Sequence, residues 1–182
     1  RSVYDVFGRV TKLIGPGDSE AYPNVTHSYN IFNLTRLPGK FIPHSIVKKQ
    51  RIEHHQDGRP ESDRTLDTYT FLDGLGRTRQ TKTPGTDGKQ VASGQVEFND
   101  RGLPEKTYAP INVVLSPSMS VVASTVPHST IEYDSLGRTI KVTNTDGTVF
   151  TKDYLGWLEL SVDEDGHRKE VLKNAYGKIC EV

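Results

Sequence analysis

The sequence predicts an all-β protein built from antiparallel hairpins, on three observations. Val, Ile, Thr, Tyr, Phe and Trp supply 59 of the 182 residues, whereas alanine and methionine, which a helical core would use freely, number five and one. Sixteen glycines and ten prolines punctuate the chain at short intervals. One turn-like hexapeptide also recurs along most of the length, and such repetition points to a repeat architecture. The chain is read as a single region spanning 1–182, cut from a longer protein because it opens on Arg1-Ser2 rather than Met.

The elements follow in order from that hexapeptide. In Tyr4-Asp5-Val6-Phe7-Gly8-Arg9-Val10, Tyr4 ends a strand and Asp5 opens a turn by accepting backbone N–H groups further on. Gly8 takes the φ > 0 position that closes the turn, and Arg9 restarts the chain as a strand. Residues 18–67 leave the pattern and read as an inserted β-hairpin segment. Their strand-like runs are Asn24 to Leu34 and Ser45 to Glu53, and Asp57-Gly58 forms a turn before Thr68-Tyr69-Thr70-Phe71. The repeat returns as Leu72-Asp73-Gly74-Leu75-Gly76-Arg77-Thr78, followed by an Asp87-Gly88 turn. A weaker copy is Phe98-Asn99-Asp100-Arg101-Gly102-Leu103. Residues 109–128, rich in Ser, Val and Pro, read as an irregular connection over the surface.

The best copy is Tyr133-Asp134-Ser135-Leu136-Gly137-Arg138-Thr139. The run Arg138-Thr139-Ile140-Lys141-Val142-Thr143 then alternates polar and apolar residues, the period of a half-buried strand. Thr145-Asp146-Gly147-Thr148 is a second turn, so one period is two strands and two turns. Asp165-Gly166 occupies the same second-turn place. Copies around Asp153-Tyr154-Leu155-Gly156-Trp157 and Asn174-Ala175-Tyr176-Gly177-Lys178 complete the array.

Tyr-Asp-x-x-Gly-Arg at this spacing, followed by an Asp-Gly turn, resembles the YD repeat of the RHS (rearrangement hotspot) family. The stretches from Thr68 to Arg77 and from Val126 to Asp134 are similar to the RHS-proximal region of bacterial insecticidal toxin-complex B components and related virulence proteins. The resemblance covers residues 1–17 and 68–182. The sequence departs from the motif where Leu103, Trp157 and Lys178 replace the arginine. In that family the repeats are long β-hairpins in a curved or spiralling sheet, part of a larger shell around a toxic segment. The animal relatives, the teneurins, use a similar shell in adhesion.

The resemblance therefore implies a non-catalytic wall segment of a secreted or cell-surface bacterial protein. Its partners would be neighbouring repeats of the parent chain and a toxin cargo. Two alternatives remain: a carbohydrate- or protein-binding adhesion module, and part of a polymorphic-toxin enzyme whose active site lies elsewhere. The structural repeat residues are Tyr4, Asp5, Gly8, Arg9, Asp73, Gly76, Arg77, Gly102, Tyr133, Asp134, Gly137, Arg138, Gly156 and Gly177. The family's self-cleavage motif contains Asp-Pro, which this sequence lacks.

The remaining chemistry is sparse. Twenty-three Lys and Arg balance 23 Asp and Glu, so there is no electrostatic footprint for nucleic acid, and no apolar run is long enough for a transmembrane helix. The histidines are His27, His44, His54, His55, His128 and His167; adjacent His54 and His55 on a strand point to opposite faces and cannot share a metal. Asp163-Glu164-Asp165 continues as Gly166-His167-Arg168, which breaks a calcium loop. Cys180 alone makes neither a disulfide nor a zinc site. No catalytic, cofactor or metal residue is expected. The sequons at Asn24 and Asn33 matter only in a eukaryotic secretory setting. Trp157 and Tyr133 are the candidate glycan contacts, because aromatic faces suit sugar rings.

Overall fold

A computed structural model describes residues 1–31, 44–52 and 65–181. The Asn33 sequon, the His54-His55 pair and the Asp57-Gly58 turn lie outside them. The protein is all-β, and no helix occurs among the described residues. It divides into two compact units, Arg1–Gln95 with Pro110–Val122, and Val96–Ala109 with Ala123–Val182.

The first unit is an eight-stranded antiparallel sheet. β1 (Ser2–Tyr4), β2 (Val10–Leu13), β3 (Val25–Asn30), β4 (His44–Arg51), β5 (Thr65–Leu72), β6 (Thr78–Pro84) and β7 (Lys89–Ser93) lie side by side in chain order. The chain then contributes β8 (Val96–Phe98) and β9 (Pro104–Tyr108) to the second unit. It returns as β10 (Ile111–Val114), inside the 109–128 stretch, which pairs with β7. The sheet is deepest at β4 and β5, paired from His44 opposite Leu72 to Arg51 opposite Thr65.

Directly paired residues share a face. Phe71 opposes Gln80, Lys82 opposes Ala92, and Gln90 lies two residues before Ala92, so one face of β5–β7 carries all five. All five are buried, Phe71 at 2 % exposure and Lys82 and Gln80 at none. Among the described residues of this unit, Val25 is the one other buried hydrophobic, beside buried Ser45, Arg51, Asp73 and Gln95.

The second unit is also a single antiparallel sheet of eight strands. After β8 and β9 come β11 (His128–Tyr133), β12 (Thr139–Thr143), β13 (Val149–Leu155), β14 (Leu158–Val162), β15 (Arg168–Lys173) and β16 (Ile179–Glu181). The spatial order runs from β16 down to β11, then β9 and β8. Among its described residues, Tyr108 is the one buried hydrophobic side chain. Its hydroxyl donates to Glu97 Oε1, and that bond, with burial, raises the pKa of the phenol.

Candidate functional site

Seven turns share one backbone geometry, and it grows from the side chain at their first position. In Asp5–Arg9, the Gly8 N–H donates to Asp5 O and the Asp5 N–H to Arg9 O. Asp5 Oδ1 accepts from the backbone N–H of both Phe7 and Arg9, at 2.9 Å each. The same pair of backbone bonds closes Asp73–Arg77, Asn99–Leu103, Asp134–Arg138, Asn144–Thr148, Asp163–His167 and Asn174–Lys178. This is a three-residue hairpin loop with a bulged glycine, and the strand register shifts beside five of the turns. An aspartate or asparagine can fill the first position because the bonds need only one carbonyl-type oxygen. Asn99 and Asn174 cap their turns in the same way.

Aspartate adds a second link that asparagine lacks. Asp5 Oδ2, Asp73 Oδ2 and Asp134 Oδ2 each accept from Nε of the arginine four residues on, at 2.7, 2.7 and 2.6 Å. In two of these three turns the arginine then lies over a tyrosine of the next strand. The Arg9 guanidinium sits 4.4 Å from the Tyr29 ring centre and that of Arg138 4.1 Å from Tyr154. Tyr29 hydroxyl donates to Val10 O, tying β3 to β2. Arg9 and Arg138 thus brace their own turns against the adjacent strand.

These bonds set a pH dependence. Burial pushes the Asp134 carboxyl up, but the Arg138 backbone N–H, the Arg138 guanidinium and the Leu136 N–H outweigh it. Its pKa falls below the ordinary 3.8. Asp5 and Asp73 are lowered by the same balance of burial against N–H and guanidinium bonds. A carboxyl that titrates lower when folded contributes stability above its unfolded pKa and loses it as pH falls through the folded one. The urea midpoint is therefore expected to hold from neutral pH to about 5 and to fall below about 4. Asp5→Asn, Asp73→Asn and Asp134→Asn together should flatten that acid limb; a triple variant with the parent's acid slope refutes the assignment.

Gly137 tests the turn itself. Its φ is +84°, and an added Cβ would meet Arg101 Nη2 at 3.2 Å. Gly137→Val is expected to cost on the order of 1 kcal/mol or more. Equal melting temperatures for variant and parent would contradict this.

A second constellation lies in the first unit, where residues 115–122 form a strap over the buried face. Gln80 reads the strap backbone from both sides: its Nε2 donates to Ser120 O at 3.0 Å and its Oε1 accepts from Ser120 N at 2.9 Å. Nε2 also donates to Gln95 Oε1 at 2.8 Å. Gln90 Oε1 accepts from Ser116 N, and Lys82 Nζ donates to Ser118 O at 2.5 Å and more weakly to Ser116 O. The ammonium lies 5.9 Å from the Phe71 ring centre, and burial pushes its pKa down. Every strap group held is main chain, so the clamp fixes the strap's path whatever its side chains.

The repeat residues named from the sequence fall at these turns, with one difference of geometry. Leu155 pairs directly with Leu158, so Gly156 and Trp157 form a two-residue turn, and Asp153 lies within the ladder opposite Leu160. Gly156 reaches φ +65° there without an aspartate to cap it. Sequence reasoning passed over Tyr29, the clamp residues Gln80, Lys82 and Gln90, and the likeness between first and second turns. The last had a signal: Asn144-x-x-Gly147 and Asp163-x-x-Gly166 keep the same spacing. Of the candidate glycan contacts, Trp157 is 58 % exposed, whereas Tyr133 gives its hydroxyl to Pro104 O at 2.7 Å. Among the described residues no three His, Cys, Asp or Glu side chains gather as metal ligands. Asp163 instead caps its own turn through Asp165 N and His167 N.

No family model and no curated protein matches the chain. Solved structures do. The chain aligns with the crystal structure of TcdB2-TccC3 at a TM-score of 0.71 and 17 % identity, over 98 % of its own length and 11 % of that chain. It aligns with the crystal structure of TcdB2-TccC3-Cdc42 at 0.70 and 14 %, over 98 % of this chain and 14 % of that one. A structure of the Photorhabdus luminescens Tc holotoxin pore aligns at 0.60 and 18 %, over 78 % and 8 %. The shared property is the fold, and the chain spans about a tenth of the length of the structures it matches.

Proposed function

We propose that this chain is a non-catalytic segment of the wall of a β-shell, in a larger secreted or cell-surface bacterial protein that encloses or delivers a toxin. The observation that carries the reading is the alignment of 98 % of the chain with a stretch of TcdB2-TccC3 at a TM-score of 0.71. The recurrent Tyr-Asp-x-x-Gly-Arg turns, which resemble the YD repeat, point the same way. So does the burial pattern: each unit has one sheet, and the second buries a single hydrophobic side chain among its described residues. A single layer of that kind gains most from neighbours that cover its faces. Neighbouring repeats of the parent chain are those neighbours.

The residues with the clearest chemistry have structural work. The aspartates cap turns, Arg9 and Arg138 brace strands, and Lys82 and its glutamines hold the strap. Expression of the complete reading frame tests the proposal. Further Tyr-Asp-x-x-Gly-Arg copies should flank residues 1–182, and electron microscopy should show a closed, hollow particle. A frame without further copies, or a solid particle, overturns it.

A further inference from the structure

The two ends of the second sheet differ in a way that the turns do not require. Antiparallel connectivity places the β8–β9, β11–β12, β13–β14 and β15–β16 turns at one end of the second sheet, and the β12–β13 and β14–β15 turns at the other. Turns of one geometry occur at both ends. Their third position accepts most residues. Yet at the first end it holds Leu136 and Tyr176, 75 % and 88 % exposed, and Arg101, beside Trp157 and Leu155 of the two-residue turn. At the other end it holds Asp146 and Asp165. In the first unit Phe7 and Leu75 are exposed on the Asp-x-x-Gly turns, but the opposite end, with Asp87, also exposes Tyr22 and Ile52.

We propose that the apolar end of the second unit is a self-association surface, on which a second copy of this chain docks rim to rim about a two-fold axis. Three observations select that occupant. First, Leu136, Leu155, Trp157 and Tyr176 expose on the order of 500 Å² between them, taking roughly 150–250 Å² for a large side chain. That is at the upper end of what a monomer leaves open, and most of the ~800 Å² per partner of a standard interface. Second, net charge is zero, and the opposite end carries Asp146, Glu164 and Asp165, which repel their own copies. Third, Asp100 and Arg101 adjoin on the apolar rim, and the Arg101 guanidinium is held by Asp134 O and Ser135 O. A two-fold axis running along the row of tips sets Asp100 of one copy against Arg101 of the other. The tips of successive hairpins stand about 10 Å apart, two strand spacings, so the row is regular enough to interdigitate.

This surface is independent of the shell reading and of strand pairing at the sheet edges. The test is sedimentation of the full chain across the micromolar range, with emission of Trp157, the only tryptophan, as a local reporter. The expected result is a concentration-dependent dimer and a blue shift of Trp157 on dimerisation. Leu136→Asp with Tyr176→Asp places at this rim the residue that the same turns already carry at positions 146 and 165. It should weaken the dimer at least about tenfold without lowering the melting temperature. If the aspartates disturb the turns, Leu136→Ser with Tyr176→Ser gives the same reading. A strictly monomeric chain overturns the proposal. So does a dimer that leaves Trp157 emission unchanged, or one that the rim variants do not weaken, the mark of edge-strand pairing.

Discussion

Phe71→Ala is expected to lower the unfolding free energy of the first unit by about 3–5 kcal/mol, the largest effect of any single truncation in this chain. Phe71 is 2 % exposed and is the largest of the fully buried side chains among the described residues. It stands on β5, between the longest strand pairing of the sheet and the strap, with Gln80 opposite and the Lys82 ammonium near its ring. In so thin a core no second layer of side chains can collapse into the space, so the cavity term should approach its full value. Urea unfolding followed by circular dichroism reads the loss. A cost below about 1 kcal/mol, the scale of a surface change, would show that the face is not the core of this unit.

Gln80→Leu should cost about 2–4 kcal/mol, although leucine is the more apolar residue. The change strands three partners at once: the N–H and the carbonyl of Ser120, and Gln95 Oε1. Each buried group without a partner costs roughly 1–3 kcal/mol, less what water recovers when the strap lifts. Hydrogen exchange separates this cause from a general loss of packing. The Ser120 and Ser116 amides should exchange faster in the variant, while amides of β4 and β5 change only with global stability. Gln80→Glu sharpens the point. It keeps an acceptor for Ser120 N–H but sets a carboxylate oxygen against Ser120 O and Gln95 Oε1, so it should be worse than Gln80→Leu. A strap whose amides exchange alike in parent and variants would remove the clamp from the account.

The difference between these two predictions and those at the turns marks what could be read in advance. Asp134-Ser135-Leu136-Gly137-Arg138 specifies its own conformation. The carboxylate reaches N–H groups two and four residues on, the glycine supplies the positive φ, and the arginine returns to the same carboxylate. All of those contacts span four residues or fewer, so spacing alone predicts them. The alternation in Thr139–Thr143 likewise fixes a strand, and a glycine turn on either side fixes a hairpin. Gly156 is the instructive case. The sequence around it looks like another copy, yet Leu155 pairs with Leu158 and Asp153 stays in the ladder. A two-residue turn was available to the same residues, and cross-strand pairing chose it.

β6 shows why the clamp was not legible. Before its terminal Pro84, β6 contains no apolar side chain, so periodicity marked neither face as inward. Gln80 and Lys82 read as solvated residues until a segment some 35 to 40 positions away covers them. The all-β class, the hairpins and the chemistry of the capped turns were determined by the sequence itself, because they rest on local steric and hydrogen-bonding preferences within a few residues. Which face of the first sheet is buried, which backbone the glutamines and lysine hold, and which tyrosines Arg9 and Arg138 lie over were decided only by tertiary structure. Those contacts join residues that no local pattern relates, and their energy exists only once the intervening chain has brought them together.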